Sequence, residues 1–403
     1  MTLASFIPAV SGMNAMSQAQ QSVSENIANL NTTGYKQNET LFYTLLGSSG
    51  LNVGSQSGLG SSKTSITGVG AYNRTNIDIE GMVKATGNTF DVALSGNSNA
   101  FFKLDDGYGN IFFTRAGDFA KSSQDGTTYL VSKGGLFVQG FASVDGSDNF
   151  SNVATNITID APNTIAQKET TAASIVANVP ANDVDSSVYN IYIYSNNYDG
   201  SNLSMVFDKV EGRENTWNLS FQMEDGTAVG NVTEVVFNTD GTIKTPENVS
   251  ASITWNDGST SNVDVDISGM TQYGASSQVI NIQQNGFPSG TLLSMGFDED
   301  GVLRANYSND NSVAIAKLAV SGFTAPENLT PYNTTLFEAN GETGNEYYVD
   351  LDGLISPESL EGSTVNLEEE FSQMIVVQRA YSLNAQSFTV NDEMLSVLID
   401  LKS

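Results

Sequence analysis

Catalysis in this 403-residue chain would have to come from carboxylates, lysines, tyrosines or hydroxyls, because the sequence contains no histidine and no cysteine. That one fact removes histidine general bases, thiolate nucleophiles, Cys/His zinc sites and disulfides together. The candidates that remain are weak. Asp264 and Asp266 stand two apart, which places both on one face of a strand as ordinary surface patterning. The turns DDGYGN (105–110) and DEDG (298–301) invite a calcium reading. Both lack the full D-x-[DN]-x-[DN]-G loop and its terminal glutamate, and Asp-Gly is common hairpin chemistry. GLGSSKTSITGVG (58–70) lacks the G-K-[ST] ending of a phosphate loop and reads as an extended linker. No G-x-S-x-G is present, and no G-x-G-x-x-G opens a helix between strands. We therefore expect no enzyme, no cofactor and no metal site.

Charge narrows the partners. Forty-five acids against 16 bases leave a formal net charge of -29, whereas phosphate binding needs Lys and Arg, so nucleic acid and anionic membrane surfaces are not expected partners. No apolar run approaches the roughly 18 residues of a spanning helix, so no membrane insertion is expected. The N-terminus lacks a basic region, and MTLASFIPAV leads into a polar stretch; export, if it occurs, is expected without a cleaved Sec signal. Charged residues are only 15% of the chain, below the roughly 25% of an average globular protein. The polar surface must then be built from Asn, Ser, Thr and Gln, which favours a turn-rich β protein, and the length allows two or three domains.

Both ends read as helices of one kind. From Met1 to Tyr35 only Glu25 is charged. A heptad frame places Phe6, Met13, Gln20 and Ile27 on one seam position and Ala9, Met16, Val23 and Leu30 on the other. Pro8 lies where a first turn tolerates proline, and Gly34 follows the last periodic residue as a helix stop. At the other end Leu367, Met374, Tyr381, Phe388 and Leu395 form one seam line, and Phe371, Gln378, Ala385, Asp392 and Ile399 the second. Asn366 is the expected N-cap, followed by three glutamates where the helix dipole favours anions. A helix over about 367–400 would be on the order of 50 Å long. An isolated two-helix stalk normally carries Glu and Lys on its outer faces; here the first helix shows Ser, Gln, Asn and Ala. Uncharged outer faces suit helices packed against copies of themselves, since any charge would recur at every subunit.

The body reads as strands. FFKL and IFFTR flank DDGYGN, LVSKGGLFVQGF supplies another pair, and MGFDEDGVLRANYS a third hairpin. Between about 165 and 285 the texture changes to short aromatic and β-branched strands, with fifteen acids and four bases. The expected fold class is mainly β with α-helical coiled-coil termini: the N- and C-terminal helices paired, a discontinuous β domain, and an inserted β-barrel-like domain. The expected division is 1–70 with 362–403 as a helical assembly domain (linker about 35–70), 71–164 with 283–361 as the discontinuous β domain, and 165–282 as an inserted outer β domain.

These segments resemble bacterial flagellar axial proteins, the rod, hook and junction family, and among them most closely the hook members. SGMNAMSQAQQSVSENIANLNTTGYK is similar to the family's first helix and exit motif, carried here by Asn26, Ile27, Ala28, Asn29, Thr33, Gly34, Tyr35 and Lys36. TGNTFDVALSGNSNAFFKL, IFFTRAGDF and QNGFPSGTLLSMGFDEDGVLRANYSN resemble its first β domain, and VNLEEEFSQMIVVQRAYSLNAQSF its last helix. One turn departs: Gly96 is followed by Asn-Ser-Asn-Ala where relatives read Gly-x-Gly-Phe-Phe. The central segment carries no motif, and its presence favours hook over rod.

The resemblance implies a structural subunit with no catalytic, cofactor or metal site. It would be exported without a cleaved signal by the flagellar export apparatus and would polymerise with itself into a curved, flexible tube with a central channel. Its neighbours would be the distal rod protein, the hook cap and the hook–filament junction protein. The implied assembly residues are the seam positions Phe6, Met13, Met16, Val23, Ile27, Leu30, Leu367, Phe371, Met374, Tyr381, Phe388, Leu395 and Ile399. A distal rod or junction protein is the near alternative, separable by the shape of the assembly. A secreted stalked adhesin is the distant one, and should stay monomeric with its termini intact.

Overall fold

The structure, a computed structural model, describes residues 6–46, 67–181, 186–196, 200–255 and 258–400, without the side chains of Leu46, Thr67 and 398–400. Most of GLGSSKTSITGVG lies outside the described residues. The described chain is mainly β with one helix near each end: α1, Ile7–Ala28, and α2, Leu367–Asp400. Two compact units divide it, one of Met1–Ala161, Met295–Arg304 and Val313–Ser403, the other of Pro162–Ser294 and Ala305–Ser312.

In the first unit α1 opens with proline in its first turn, as expected. It ends earlier than expected, at Ala28 with Asn29 as C-cap. Leu30 therefore lies past the helix, and Gly34 is an element of the exit turn instead of its stop. Asn366 caps α2, its Oδ1 accepting from the Glu368 amide at 3.1 Å. The helices run antiparallel: Phe6 meets Phe388 edge-on at 5.1 Å between ring centroids, and a Cβ on Gly12 would fall 2.8 Å from Asn384 Oδ1. Near the far end Asn26 bonds Glu370.

Part of the stretch expected as linker forms a hairpin. Strand β1, Asn38–Leu46, pairs antiparallel with β2, Thr67–Thr75, from Asn38 against Thr75 to Leu46 against Thr67. Ser11 of α1 accepts from the Val69 amide, and Ser22 donates to the Asn38 carbonyl. So α1 is covered by α2 on one flank and by the hairpin on another, which accounts for much of its missing charge within a single chain.

The rest of this unit is β. Phe101–Asp105 and Ile111–Thr114 form the hairpin expected around DDGYGN, and Thr127–Ser132 meets Phe137–Ala142 through Val131 and Phe137. The two halves of the chain interleave: Val83–Ala85 pairs with Ser359–Glu361, and Val92–Leu94 with Ile355–Pro357. Phe102, Leu104, Leu130, Val138, Leu303 and Leu318 are among the residues of one apolar core.

The second unit holds two five-stranded sheets. One is an antiparallel meander over Ser186–Ile193, Ser201–Lys209, Thr216–Met223, Ala228–Phe237 and Ile243–Thr245. In the other, Ala172–Pro180 lies parallel to Thr260–Asp266 and Thr271–Tyr273 and antiparallel to Gln278–Gln284, while Asn248–Thr254 flanks Thr260–Asp266. Strands such as Ser186–Ile193 and Asn248–Thr254 alternate strictly between buried and exposed, because period-two side chains send one set inward. Tyr189, Phe207, Trp217 and Phe221 from the first sheet share a core with Ile175, Ala251, Ile253 and Val265 from the second. Asp264 and Asp266 point away from it; Asp264 accepts from Ser250 and Asp266 from the Ser268 amide.

Candidate functional site

The family-type exit motif sits at a junction where the start of the chain meets the segment before α2. Gly34 has φ +66, and a Cβ there would fall 2.5 Å from the Ala116 nitrogen, so only glycine satisfies both the backbone and the space. Its amide donates to the Glu361 carbonyl at 2.8 Å. That turn carries Lys36 into the interior, where its side chain is wholly buried. Lys36 Nζ meets Glu361 Oε1 at 2.8 Å and also donates to the Ile79 carbonyl. Glu361 Oε2 receives Arg115 Nε at 2.7 Å, and its Oε1 receives the Gly81 amide at 2.8 Å. All three charged side chains are 0% exposed.

Arg115 completes the cage by donating to the carbonyls of Asn97, Ala100 and Leu94, with Glu80 3.9 Å away. Burial pushes the Lys36 ammonium down from its ordinary value; the Glu361 carboxylate opposes this, and the Arg115 guanidinium adds to it. A buried ion network of this kind adds little net stability over an apolar core, but removing one partner leaves an uncompensated charge at about 3–5 kcal/mol. The arrangement therefore works as a lock: it makes one register of the two chain ends far cheaper than any other.

A second, mostly neutral network ties the same turn to both helices. Asn26 Oδ1 accepts from the Tyr35 hydroxyl and the Asn38 amide, each at 2.9 Å, while its Nδ2 donates to the Asn38 carbonyl and Glu370 Oε1, each at 2.8 Å. Gln37 Nε2 also donates to Glu370 Oε1, at 2.6 Å. Tyr35 is pushed up to about 12 by burial, with Glu25 and Glu370 adding to the effect. Asn29 donates from Nδ2 to the Glu25 carbonyl and accepts from Thr32, closing the helix end. Of the remaining motif residues, Ala28 is exposed, Ile27 is half-buried, and Thr33 lines a shallow groove with Thr114, Asp118 and Lys133.

The seam residues divide less simply than the heptad frame expects. On α1 the buried line is Ala9, Gly12, Ala15, Ala19, Ser22, Val23 and Asn26. Val23 belongs to it; Phe6, Met13, Met16, Ile27 and Leu30 are half-buried. On α2 the buried positions are Glu370 and Val377, with Met374, Asn384 and Leu395 half-buried. The line through Glu370, Val377 and Asn384 replaces the expected line through Phe371 and Gln378, one residue later. The physical reason is size: glycine and alanine let α1 approach closely, so short side chains fill the contact and bulky ones flank it. Phe371 is 49% exposed, and Leu367, Tyr381 and Phe388 are also exposed. The side chain of Ile399 lies outside the described residues.

Sequence reasoning missed Arg115, Glu361, Glu370 and Gln37. A charge inside the apolar run IFFTR was the available signal for Arg115. The Asp-rich turns are self-satisfied: Asp106 accepts from the Tyr108 and Asn110 amides, and Asp298 from those of Asp300 and Val302. Among the described residues no group of three acidic side chains is placed to hold a metal ion, and no helix is long and apolar enough to cross a membrane.

The family described as "Flagella basal body rod protein" matches residues 8–36, ending on Lys36. "Flagellar basal body rod FlgEFG protein C-terminal" matches 356–401, which contains Glu361 and α2. "Flagellar basal body protein FlaE D2 domain" matches 177–287, within the second unit. Flagellar hook protein FlgE of Salmonella typhimurium is 27% identical, covering 99% of this chain and 100% of that protein. Its Escherichia coli K12 counterpart is 27% identical over 98% of this chain and 100% of that protein, and that of Brucella suis 26% over 98% and 97%. The crystal structure of Helicobacter pylori flagellar hook protein FlgE2 is 13% identical, with a TM-score of 0.54 covering 69% of this chain and 99% of that chain, a likeness of fold.

Proposed function

We infer, from the premise that this chain belongs to the flagellar rod and hook axial proteins, that it is a structural subunit of the flagellar hook, polymerising with copies of itself outside the cell. The observation that carries the reading is the buried Lys36–Glu361–Arg115 lock. It joins the two family-matched ends to each other and to the β body, at the place where load passing between helices and body has to cross. A torque-bearing subunit needs such a point to be rigid, and a network that penalises any other register supplies that.

The finer reading is a curved, flexible tube acting as a universal joint from rod to filament, with a central export channel. In it α1 and α2 form the inner, coiled-coil assembly domain (1–70 and 362–403). Residues 71–164 and 283–361 form the discontinuous β domain, and 165–282 a barrel-like outer domain with an acidic face. The nearly uncharged α1 suits a surface that meets its own copies and exported chains. Its proposed partners are the distal rod protein, the hook cap, the hook–filament junction protein and the export apparatus, which takes it out without a cleaved signal.

Negative-stain electron microscopy tests the reading. The full chain under salt that promotes polymerisation should give curved tubes, and a chain trimmed to Thr33–Glu361 should give none. Straight tubes from the full chain would move it to the rod relatives, and tubes from the trimmed chain would remove the helices from assembly.

A further inference from the structure

We propose that the edge strand Gln278–Gln284, through its bulged residue Ile280, makes a contact with a second copy of this chain; this rests on the self-assembly reading above and adds to the terminal helices a contact from the second unit. The strand pairs with Ala172–Pro180 and, among the described residues, carries no ladder on its other side. Its register shifts where Val176 faces Asn281 and Ala177 faces Val279, so Ile280 is an extra residue with nothing opposite it. A bulge of this kind turns a side chain out of the alternating pattern. Ile280 is 67% exposed and its neighbour Val279 44%. The strand Ser186–Ile193 lies close by, where the Tyr189 hydroxyl donates to the Asn178 carbonyl, and it leaves Val188 55% exposed. A lone exposed isoleucine is ordinary, but apolar side chains gathered at a sheet edge mark a surface that something covers.

Charge and size together select the occupant. Ile267–Phe297 contains no charged residue, the longest such run in the chain, and neither Ala172–Pro180 nor Ser186–Ile193 contains one. Edge strands are commonly guarded against association by lysine or another charge; this one has no guard. A basic partner would be drawn to the acids elsewhere on the surface and gains nothing here. A second copy brings a net charge of -29 of its own, so it can approach closely only where both surfaces lack charge. The patch is also small. Val188, Val279 and Ile280 cover far less than the roughly 800 Å² per partner of a stable complex, so they cannot hold a free partner. They suffice between copies that the terminal helices already hold together, because the contact is then made at high effective concentration. The contact therefore belongs to the tube and is absent from the free chain.

Two experiments on the full chain test this. Ile280→p-benzoylphenylalanine places a photoreactive group at the bulge, and irradiation should give covalent dimers from tubes and none from the unpolymerised chain. Ile280→Ser removes the apolar side chain without adding a charge and should raise the critical concentration for tube formation about fivefold or more, while Ile280→Val stays near the unaltered chain. Trp217 and Trp255 lie in the core of the same unit, so unchanged tryptophan emission separates a lost contact from a lost fold. Tubes that give no covalent dimers, dimers formed equally well by the unpolymerised chain, or an unchanged critical concentration for Ile280→Ser overturn the contact while leaving the hook reading intact. Failure of the unaltered chain to form tubes overturns both.

Discussion

Replacing Glu361 with glutamine keeps the shape of the lock and removes its only fully buried anion. In the native arrangement that carboxylate receives Lys36 at 2.8 Å, Arg115 at 2.7 Å and the Gly81 amide at 2.8 Å. Glutamine offers one carbonyl oxygen to these three donors and turns its own amide toward one of them. Two cations then remain in the interior with only the partly exposed Glu80, 3.9 Å from Arg115, to offset them. Breaking a buried pair in this way costs about 3–5 kcal/mol. Lys36→Met removes one cation and leaves the Arg115–Glu361 pair, so it should cost about 1–3 kcal/mol. The double variant should cost less than the two singles together, by about 1–3 kcal/mol. The molecule supplies its own separation of signals. Both helices lie in the first unit, and both tryptophans, Trp217 and Trp255, lie in the core of the second. Urea unfolding followed by helical circular dichroism should show an early midpoint in Glu361→Gln, while tryptophan emission moves less. A circular-dichroism shift worth under about 1 kcal/mol, or strictly additive singles, would refute the lock.

Three further expectations follow from the same geometry. Gly34→Ala forces a Cβ against the Ala116 backbone at a positive φ; it should cost about 2 kcal/mol or more by denaturant unfolding, and tolerance of alanine would remove the close approach from the argument. Tyr35 has its phenol raised to about 12, so the folded state holds that proton while the unfolded state releases it near 10. This contribution is full below about pH 10 and fades as pH rises toward about 12, by roughly 1–2 kcal/mol after allowance for solvent screening. Comparing native and Tyr35→Phe chains across that range should show the difference, and parallel pH profiles would contradict it. Phe388→Asp breaks the edge-on contact with Phe6; the β units should keep their melting transitions while sedimentation shows no tubes, and normal tubes would remove this pair from assembly.

Features that depend on local sequence were legible; features that depend on distant residues were not. Pro8, Asn366 and the glutamates after it announce α1 and α2 because capping and dipole chemistry act within one turn. The hairpins at 105–110 and 298–301 are announced by Asp-Gly for the same reason. Of the expected seam of α1, Ala9 and Val23 are buried; a heptad frame weights bulk and so passes over Gly12, Ala15 and Ala19, which make the contact by being small. The hairpin β1–β2 was hidden because Gly68 and Gly70 make its second strand read as linker. Gly34 reads locally as a helix stop, yet its reason lies in the backbone of Ala116. Lys36 stood inside a motif, but its partners are 325 residues away at Glu361 and, through that carboxylate, another 246 away at Arg115. No spacing rule reaches that far.

The most direct test of the central claim is a helical reconstruction by cryo-electron microscopy of tubes grown from the full chain. The account predicts curved tubes around an open channel. Two antiparallel helices per subunit should form the innermost shell, with density from Lys36 and Glu361 at the point where they join the β body. Tubes whose inner wall is β, or subunits joined without either terminal helix, would contradict it.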